Sequence, residues 1–428
     1  MNTIKKLSLL LLAVISLYGC KEEDKPKPAV TSTFTVTIEN VQTGKKFLNS
    51  GEISAIGPGD SQSISFNAGK GMYLSFANMF VQSNDIFFGF DDTGLALYDA
   101  DGNATTGDVT SQISLWDAGT EVNEEPGVGP NQAPRQSGMN TGMDENGTIV
   151  LVSANGDGFT YPVLTDLIKV SLSHDGGTMF TVTFENTSAG TALGSPIAPG
   201  IWAIHNASAK LFEAGSTASA GLEGIAEDGN NSTMLMSVTS NSGYASPFAP
   251  GVWAVHDNTV NPIFDNNKVD KGEGLEALSE DGDPSGLVAS LMGKASVSKS
   301  GVFNTPSSAS APGPLMGGDS YTFTFEAEEG DYLSFATMLI HTNDLFFAFG
   351  EKGIALFNNG AAVSGDFTGQ VDLWDAGTEV NEYPGAGNNQ PARGGAGTGA
   401  DENGNVQIVN DGFTYPAVNQ LIKVTISK

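Results

Sequence analysis

The sequence predicts an all-β chain of two antiparallel β-sandwich modules, the second carrying an internally duplicated insert with short helices. Three observations predict it. Long stretches are written twice: 73–90 reads YLSFANMFVQSNDIFFGF and 332–349 reads YLSFATMLIHTNDLFFAF, while LWDAGTEVNEE at 115–125 returns as LWDAGTEVNEY at 373–383. The offsets are 259 (Asp85 to Asp344), 258 (Trp116 to Trp374) and 254 (Phe159 to Phe413), so the repeat is a whole module and not a short solenoid unit. Apolar and polar residues alternate over short runs, the period of a half-buried strand. Turn chemistry (DDTG, DADGN, EEPG, DENG) separates those runs in a chain with 54 glycines.

Taken in order, Lys5 and Lys6 precede an apolar run, Leu7 to Leu17, that is short for a membrane span and reads as a secretion signal. It ends in Leu17-Tyr18-Gly19-Cys20, which resembles a bacterial lipobox. The resemblance implies that Cys20, the chain's single cysteine, is lipidated. Residues 1–20 are thus expected to be a lipoprotein signal and 21–32, charged and Pro-rich, a disordered tether. The expected location is the bacterial outer membrane or cell surface, with membrane contact only through the lipid anchor.

The first module is expected over 33–175, with strands near 34–40, 63–67, 73–81, 86–90, 95–98, 149–152 and 167–172. The second is expected over 177–428. Phe34-Thr-Val-Thr-Ile-Glu-Asn40 and Phe180-Thr-Val-Thr-Phe-Glu-Asn186 read as the opening strand of each. Yet 51 positions separate Phe34 from Asp85 and 164 separate Phe180 from Asp344; the difference, 113, reads as an insert in the second module at about 190–300. That insert is itself doubled: SPIAPGIWAIHN at 195–206 answers SPFAPGVWAVHD at 246–257, and GLEGIAEDG at 221–229 answers GLEALSEDG at 274–282. Leu275, Leu278, Leu287 and Leu291 have helical spacing, broken into two short helices at Asp283-Pro284.

With 19 Lys+Arg against 49 Asp+Glu, the formal charge of −30 excludes nucleic acid as a partner and suits cations or basic ligands. No G-x-S-x-G, H-E-x-x-H or P-loop is present. The sharpest candidate is Asp-Ala-Gly-Thr-Glu, where Asp117 and Glu121 flank a Gly-Thr turn. Ca²⁺ takes six to eight oxygens from such loops, but the residues alone equally allow an Asx-turn. The repeated Asp144-Glu-Asn-Gly147 and Asp401-Glu-Asn-Gly404 read as hairpin turns. Asp99-Ala-Asp101-Gly102 lacks the distal Glu of an EF-hand loop and reads as a coincidence. His205 and His256, in WAIHN and WAVHD, read as structural hydrogen-bonders, and the four tryptophans as packing residues.

SNDIFFGF, WDAGTE and the later NQAP or NNQP loops together resemble the spondin domain, the N-terminal module of F-spondin and mindin. The resemblance covers nearly all of 34–428. It implies a C2-like β-sandwich with a calcium ion held by loops at one end, in proteins of adhesion and matrix. It places one Ca²⁺ per module, on Asp85, Asp117 and Glu121 and on Asp344, Asp375 and Glu379. Ile86 and Leu345 stand where the family usually has Trp, and the first module as bounded above lacks the WAxH segment. The expected function is a surface-anchored, calcium-binding adhesion or ligand-binding lipoprotein without catalytic activity, its partner an extracellular protein or glycan. The alternative is a secreted glycan-binding or glycan-degrading protein, since paired carboxylates and aromatics also serve sugar chemistry.

Overall fold

The computed structural model describes residues 30–428. The expected signal, Cys20 and most of the tether lie outside the described residues. Thr31 and Ser32, expected in the tether, already belong to a strand, Thr31–Asn40.

The chain is all-β in class, with short helices packed outside the sheets. One sandwich has a four-stranded sheet in the order Ser61–Asn67, Met179–Asn186, Ile168–His174, Gly107–Asp108. Its facing sheet runs Phe47–Ile53, Gly200–Asn206, Met72–Met79, Ile86–Gly89, Ser114–Asp117, Val150–Leu151. The other sandwich repeats both orders: Ser320–Glu328, Thr31–Asn40, Ile422–Ser427, Gly365–Asp366, and Val297–Phe303, Gly251–His256, Tyr332–Met338, Leu345–Phe349, Val371–Asp375, Gln407–Ile408. Each core fills the space between its sheets. Phe66, Phe180 and Val170 from one sheet meet Phe76, Phe88 and Ile204 from the other.

These ladders divide the chain differently from the boundaries read off the sequence. Thr31–Asn40 does not open the first sandwich. It lies between Ser320–Glu328 and Ile422–Ser427 in the second, with Ile38 opposite Tyr321 on one side and Val424 on the other. Met179–Asn186 fills the equivalent slot of the first, between Ser61–Asn67 and Ile168–His174. A central strand needs two ladders to satisfy its backbone groups. The short turn 175–178 delivers Met179–Asn186 directly onto Ile168–His174, so the matching gap in the second sandwich is open to Thr31–Asn40.

The 190–300 segment is likewise not an insert of the second module. Gly200–Asn206 pairs with Phe47–Ile53 and Met72–Met79 of the first sandwich, and Gly251–His256 with Val297–Phe303 and Tyr332–Met338 of the second. Each sandwich therefore owns one WAxH strand. Trp202 lies over Gly51, where an added Cβ would sit 2.9 Å from the indole Nε1, and Trp253 lies over Gly301 at 2.8 Å. Each WAxH strand is followed by a helix pair: Ala220–Asp228 with Ser232–Ser240, and Leu275–Asp281 with Ser285–Met292. Leu222, Ile225, Met234 and Val238 bury the outer face of the first large sheet against Phe87 and Trp116. Leu275, Leu278, Leu287 and Leu291 do the same against Phe346 and Trp374. Those strands are covered on both faces, which explains the unbroken apolar run in IFFGF and LFFAF.

Candidate metal centres

Asp85 precedes the strand Ile86–Gly89, and Asp117 ends the neighbouring strand Ser114–Asp117 with Ile86 directly opposite it. Asp344 and Asp375 stand in the same relation around Leu345. The polypeptide after Asp117 turns at Gly119, whose φ is +68. A Cβ there would also sit 2.7 Å from the Thr148 nitrogen, so both conformation and space demand glycine. Gly377 matches it, with φ +67 and 2.7 Å to the Asn405 nitrogen.

What crowds Gly119 is the DENG segment. It forms no hairpin turn of its own, contrary to the reading from sequence. It runs antiparallel to the Gly-Thr-Glu chain: Glu145 N donates to the Thr120 carbonyl at 2.9 Å and Gly147 N to the Gly119 carbonyl at 2.7 Å. Glu402 N and Thr378 repeat the first contact at 2.9 Å. Asn146 and Asn403 take left-handed φ values of +59 and +58, the conformation asparagine tolerates best after glycine.

The result is two acidic triads, Asp85–Asp117–Glu145 and Asp344–Asp375–Glu402, each with one oxygen per residue lying within 4.8 Å of the others. The aspartates are buried and the glutamates exposed. Asp85 Oδ2 accepts from Thr120 N at 2.7 Å, Thr120 Oγ1 at 3.2 Å and Glu121 N at 3.1 Å, which clamps the loop. Its Oδ1 is buried with no partner. Asp344 is bound identically through Oδ2, at 2.8, 3.3 and 3.1 Å, and its Oδ1 is also without a partner. Both aspartates have 0% of their surface exposed. Asp117 Oδ1 accepts from Gly119 N at 2.8 Å, and its Oδ2 from Asn123 and Asn155 amides at 2.6 and 2.9 Å. Burial, then the charge of Asp117, pushes Asp85 well above the usual carboxylate range; burial, then Asp375, does the same to Asp344. A buried carboxylate with an unsatisfied oxygen is costly unless a proton or cation meets it.

These triads can hold a metal ion. Their donors are all carboxylate oxygens, without His or Cys, which is the set preferred by hard cations such as Ca²⁺ or Mg²⁺.

Glu121 and Glu379, the expected third ligands, are outside both triads. Glu121 Oε1 accepts from Gly142 N at 2.7 Å and its Oε2 from Asn84 Nδ2 at 3.3 Å. A Cβ on Gly142 would sit 2.1 Å from that carboxylate. Glu379 is held by Asn343 at 3.2 Å, and burial raises its carboxyl to about 7. Glu145 and Glu402 take their place. The signal was present, since DENG recurs in both copies, but its turn-like composition hid the place of its glutamate in the acidic triad.

The remaining candidates are structural. His205 Nε2 is 2.8 Å from Ser75 Oγ and His256 Nε2 is 2.9 Å from Ser334 Oγ, each with Nδ1 on a following carbonyl. Asp99 Oδ1 accepts from Asp101 N and Asn103 N at 2.9 and 2.8 Å, an Asx-turn. Trp116, Trp202 and Trp374 are buried in the core clusters, and Trp253 is partly buried against Phe323 and Phe325. No helix among the described residues is long and apolar enough to cross a membrane. Set against known proteins, the chain matches no protein-family model and no curated protein.

Proposed function

We propose that each sandwich binds one Ca²⁺, through Asp85, Asp117 and Glu145 in the first and Asp344, Asp375 and Glu402 in the second, and that the cations brace the loop ends of a non-catalytic binding or adhesion protein. One observation carries this reading: Asp85 Oδ1 and Asp344 Oδ1 are fully buried, unpartnered, and beside two further carboxylates in both copies. A +2 ion supplies what each triad lacks, and Ca²⁺ tolerates the irregular oxygen geometry of a loop better than Mg²⁺ does. The same acidic set standing twice suits binding better than duplicated catalysis. The motif resemblance to spondin domains agrees with an adhesive role, and the lipobox-like Leu17–Cys20 supports a surface-tethered lipoprotein with an extracellular protein or glycan partner.

Metal analysis and calorimetric titration of the full chain test this. Uptake of two Ca²⁺, abolished in Asp85→Asn/Asp344→Asn, is the expected result. No uptake at millimolar Ca²⁺ overturns it. Cys20→Ala, which should abolish incorporation of labelled palmitate in a bacterial host, tests the anchor separately.

A further inference from the structure

The DGFTYP stretch is written in both copies, but its surroundings differ. In the second sandwich, Phe413 meets Tyr383 edge to face at 5.8 Å, and Tyr415 meets Tyr244 in the same manner at 6.2 Å. The sequence positions that match Tyr383 and Tyr244 in the first copy are Glu125 and Leu193. There Phe159 is 36% exposed and lines an open groove of about 620 Å³.

The lining of that groove narrows the ligand. It contains no Lys, Arg or His, which disfavours a phosphate, sulfate or carboxylate guest. Its one acid, Asp157, is already satisfied. Oδ1 accepts from Phe159 N at 2.8 Å, and Oδ2 from Asn155 Nδ2 at 2.9 Å and from the Tyr161 hydroxyl. A cationic guest would find no free carboxylate oxygen. What the groove offers is an accessible aromatic ring, the Leu115 and Leu151 side chains, and the hydroxyls of Ser114, Ser153 and Thr160. Apolar walls with a few convergent polar groups are the usual make-up of a small-ligand site. A pyranose presents this same mixture: a C–H face that meets the negative face of an aromatic ring, and a rim of hydroxyls. We propose that this groove binds a neutral oligosaccharide, stacked on Phe159 with its hydroxyls toward the Ser114, Ser153 and Thr160 side chains.

The groove also adjoins the first triad, because Asn155 Nδ2 donates to Asp117 Oδ2 and Asp157 Oδ2, each at 2.9 Å. The site does not rest on the cation reading, and its test is separable. The full chain is titrated calorimetrically with cellohexaose, xylohexaose and mannohexaose, each with Ca²⁺ and with chelator. Binding of at least one, weakened tenfold or more by Phe159→Ala and unchanged by Phe413→Ala, supports the site. Phe159 is solvent-accessible, so its replacement leaves the fold intact; an unchanged melting curve and unchanged Ca²⁺ response verify this. The proposal is overturned if none of the three binds at millimolar concentration, or if binding survives Phe159→Ala. Either failure leaves Ca²⁺ uptake as the separate measure of the triads.

Discussion

Asn40 donates its side-chain amide to the carbonyl of Ser246, 206 positions later, at 3.0 Å. The same Nδ2 reaches the Leu315 carbonyl at 3.0 Å, and its Oδ1 accepts from Gln42. Asn186 makes the matching pair in the first sandwich, to Ser195 and Ile56 carbonyls at 2.9 and 2.8 Å. The N-terminal strand is thereby pinned into the C-terminal sandwich by the contacts that a hairpin-linked strand makes in the other.

Asn40→Ala is expected to cost about 2 kcal/mol, because it leaves buried carbonyls without a donor. Removing residues 30–40 altogether should do more. Protection of amides in Ile422–Ser427 against hydrogen exchange should collapse while that in Ile168–His174 persists. Equal loss in both strands would show that the two sandwiches do not unfold separately.

Glu145→Gln should weaken Ca²⁺ binding at the first site by tenfold or more, while Glu121→Gln should leave the affinity within a factor of two. Titration of each variant in an Asp344→Asn background isolates that site. The opposite ranking would restore Glu121 as the ligand and remove Glu145.

Saturating Ca²⁺ should raise the melting temperature, since an ion bound only by the folded chain contributes about 2.7 kcal/mol per site at a hundredfold excess over Kd. Asp117→Asn and Asp375→Asn should each remove roughly half of that rise. Both can keep the Asx-turn to Gly119 or Gly377 through Oδ1, while losing the charge and the Oδ2 acceptor that Asn123 and Asn155, or Asn381, now meet. A rise that survives both substitutions would place the ion elsewhere.

Without metal, stability should fall as pH rises. Asp85 and Asp344 hold their protons more tightly folded than unfolded, as do Glu227 and Glu379, raised from 4.5 to about 7 chiefly by burial. The folded glutamates bind more protons between those values and the two raised aspartates add to the same trend, so unfolding free energy declines as pH rises from about 4.5 through 7. In the proposed reading, Ca²⁺ takes the place of the aspartate protons at the triads. The stabilisation it brings should therefore be larger at pH 8 than at pH 5, measured as the difference between chelated and loaded melting curves. A chelated protein more stable at pH 8 than at pH 5 would contradict this.

Gly119→Ala forces a side chain into a left-handed turn and onto the Thr148 nitrogen. It should cost about 2 kcal/mol or more and impair Ca²⁺ binding through the displaced loop, as seen by thermal melting and titration of the same sample.

The sequence by itself determined the duplication, the β class, the helix pair after the second WAxH segment and the two aspartates of each acidic triad, while the matching helix pair after the first WAxH segment emerged only in the structure. The features legible in the sequence are local properties: alternation such as Phe34-Val36-Ile38 shows in a few residues, and Asp85 and Asp117 sit at strand ends that repeat with a constant offset. The tertiary structure decided which copy each strand serves. Thr31–Asn40 and Met179–Asn186 carry nearly the same residues, so no pattern within either strand tells which sheet has the open slot; that depends on chain connections, here the turn at 175–178. The third member of each acidic triad was decided in the same way. Glu121 is nearer in sequence to Asp117, but its backbone pairing with Asp144 and the amide of Gly142 tie its carboxylate elsewhere, while that same pairing carries Glu145 to the triad. The open groove of the first copy was hidden for a related reason. DGFTYP is identical in both, and whether its rings are covered depends on Tyr244 and Tyr383, which lie far from it in sequence and beside it in space.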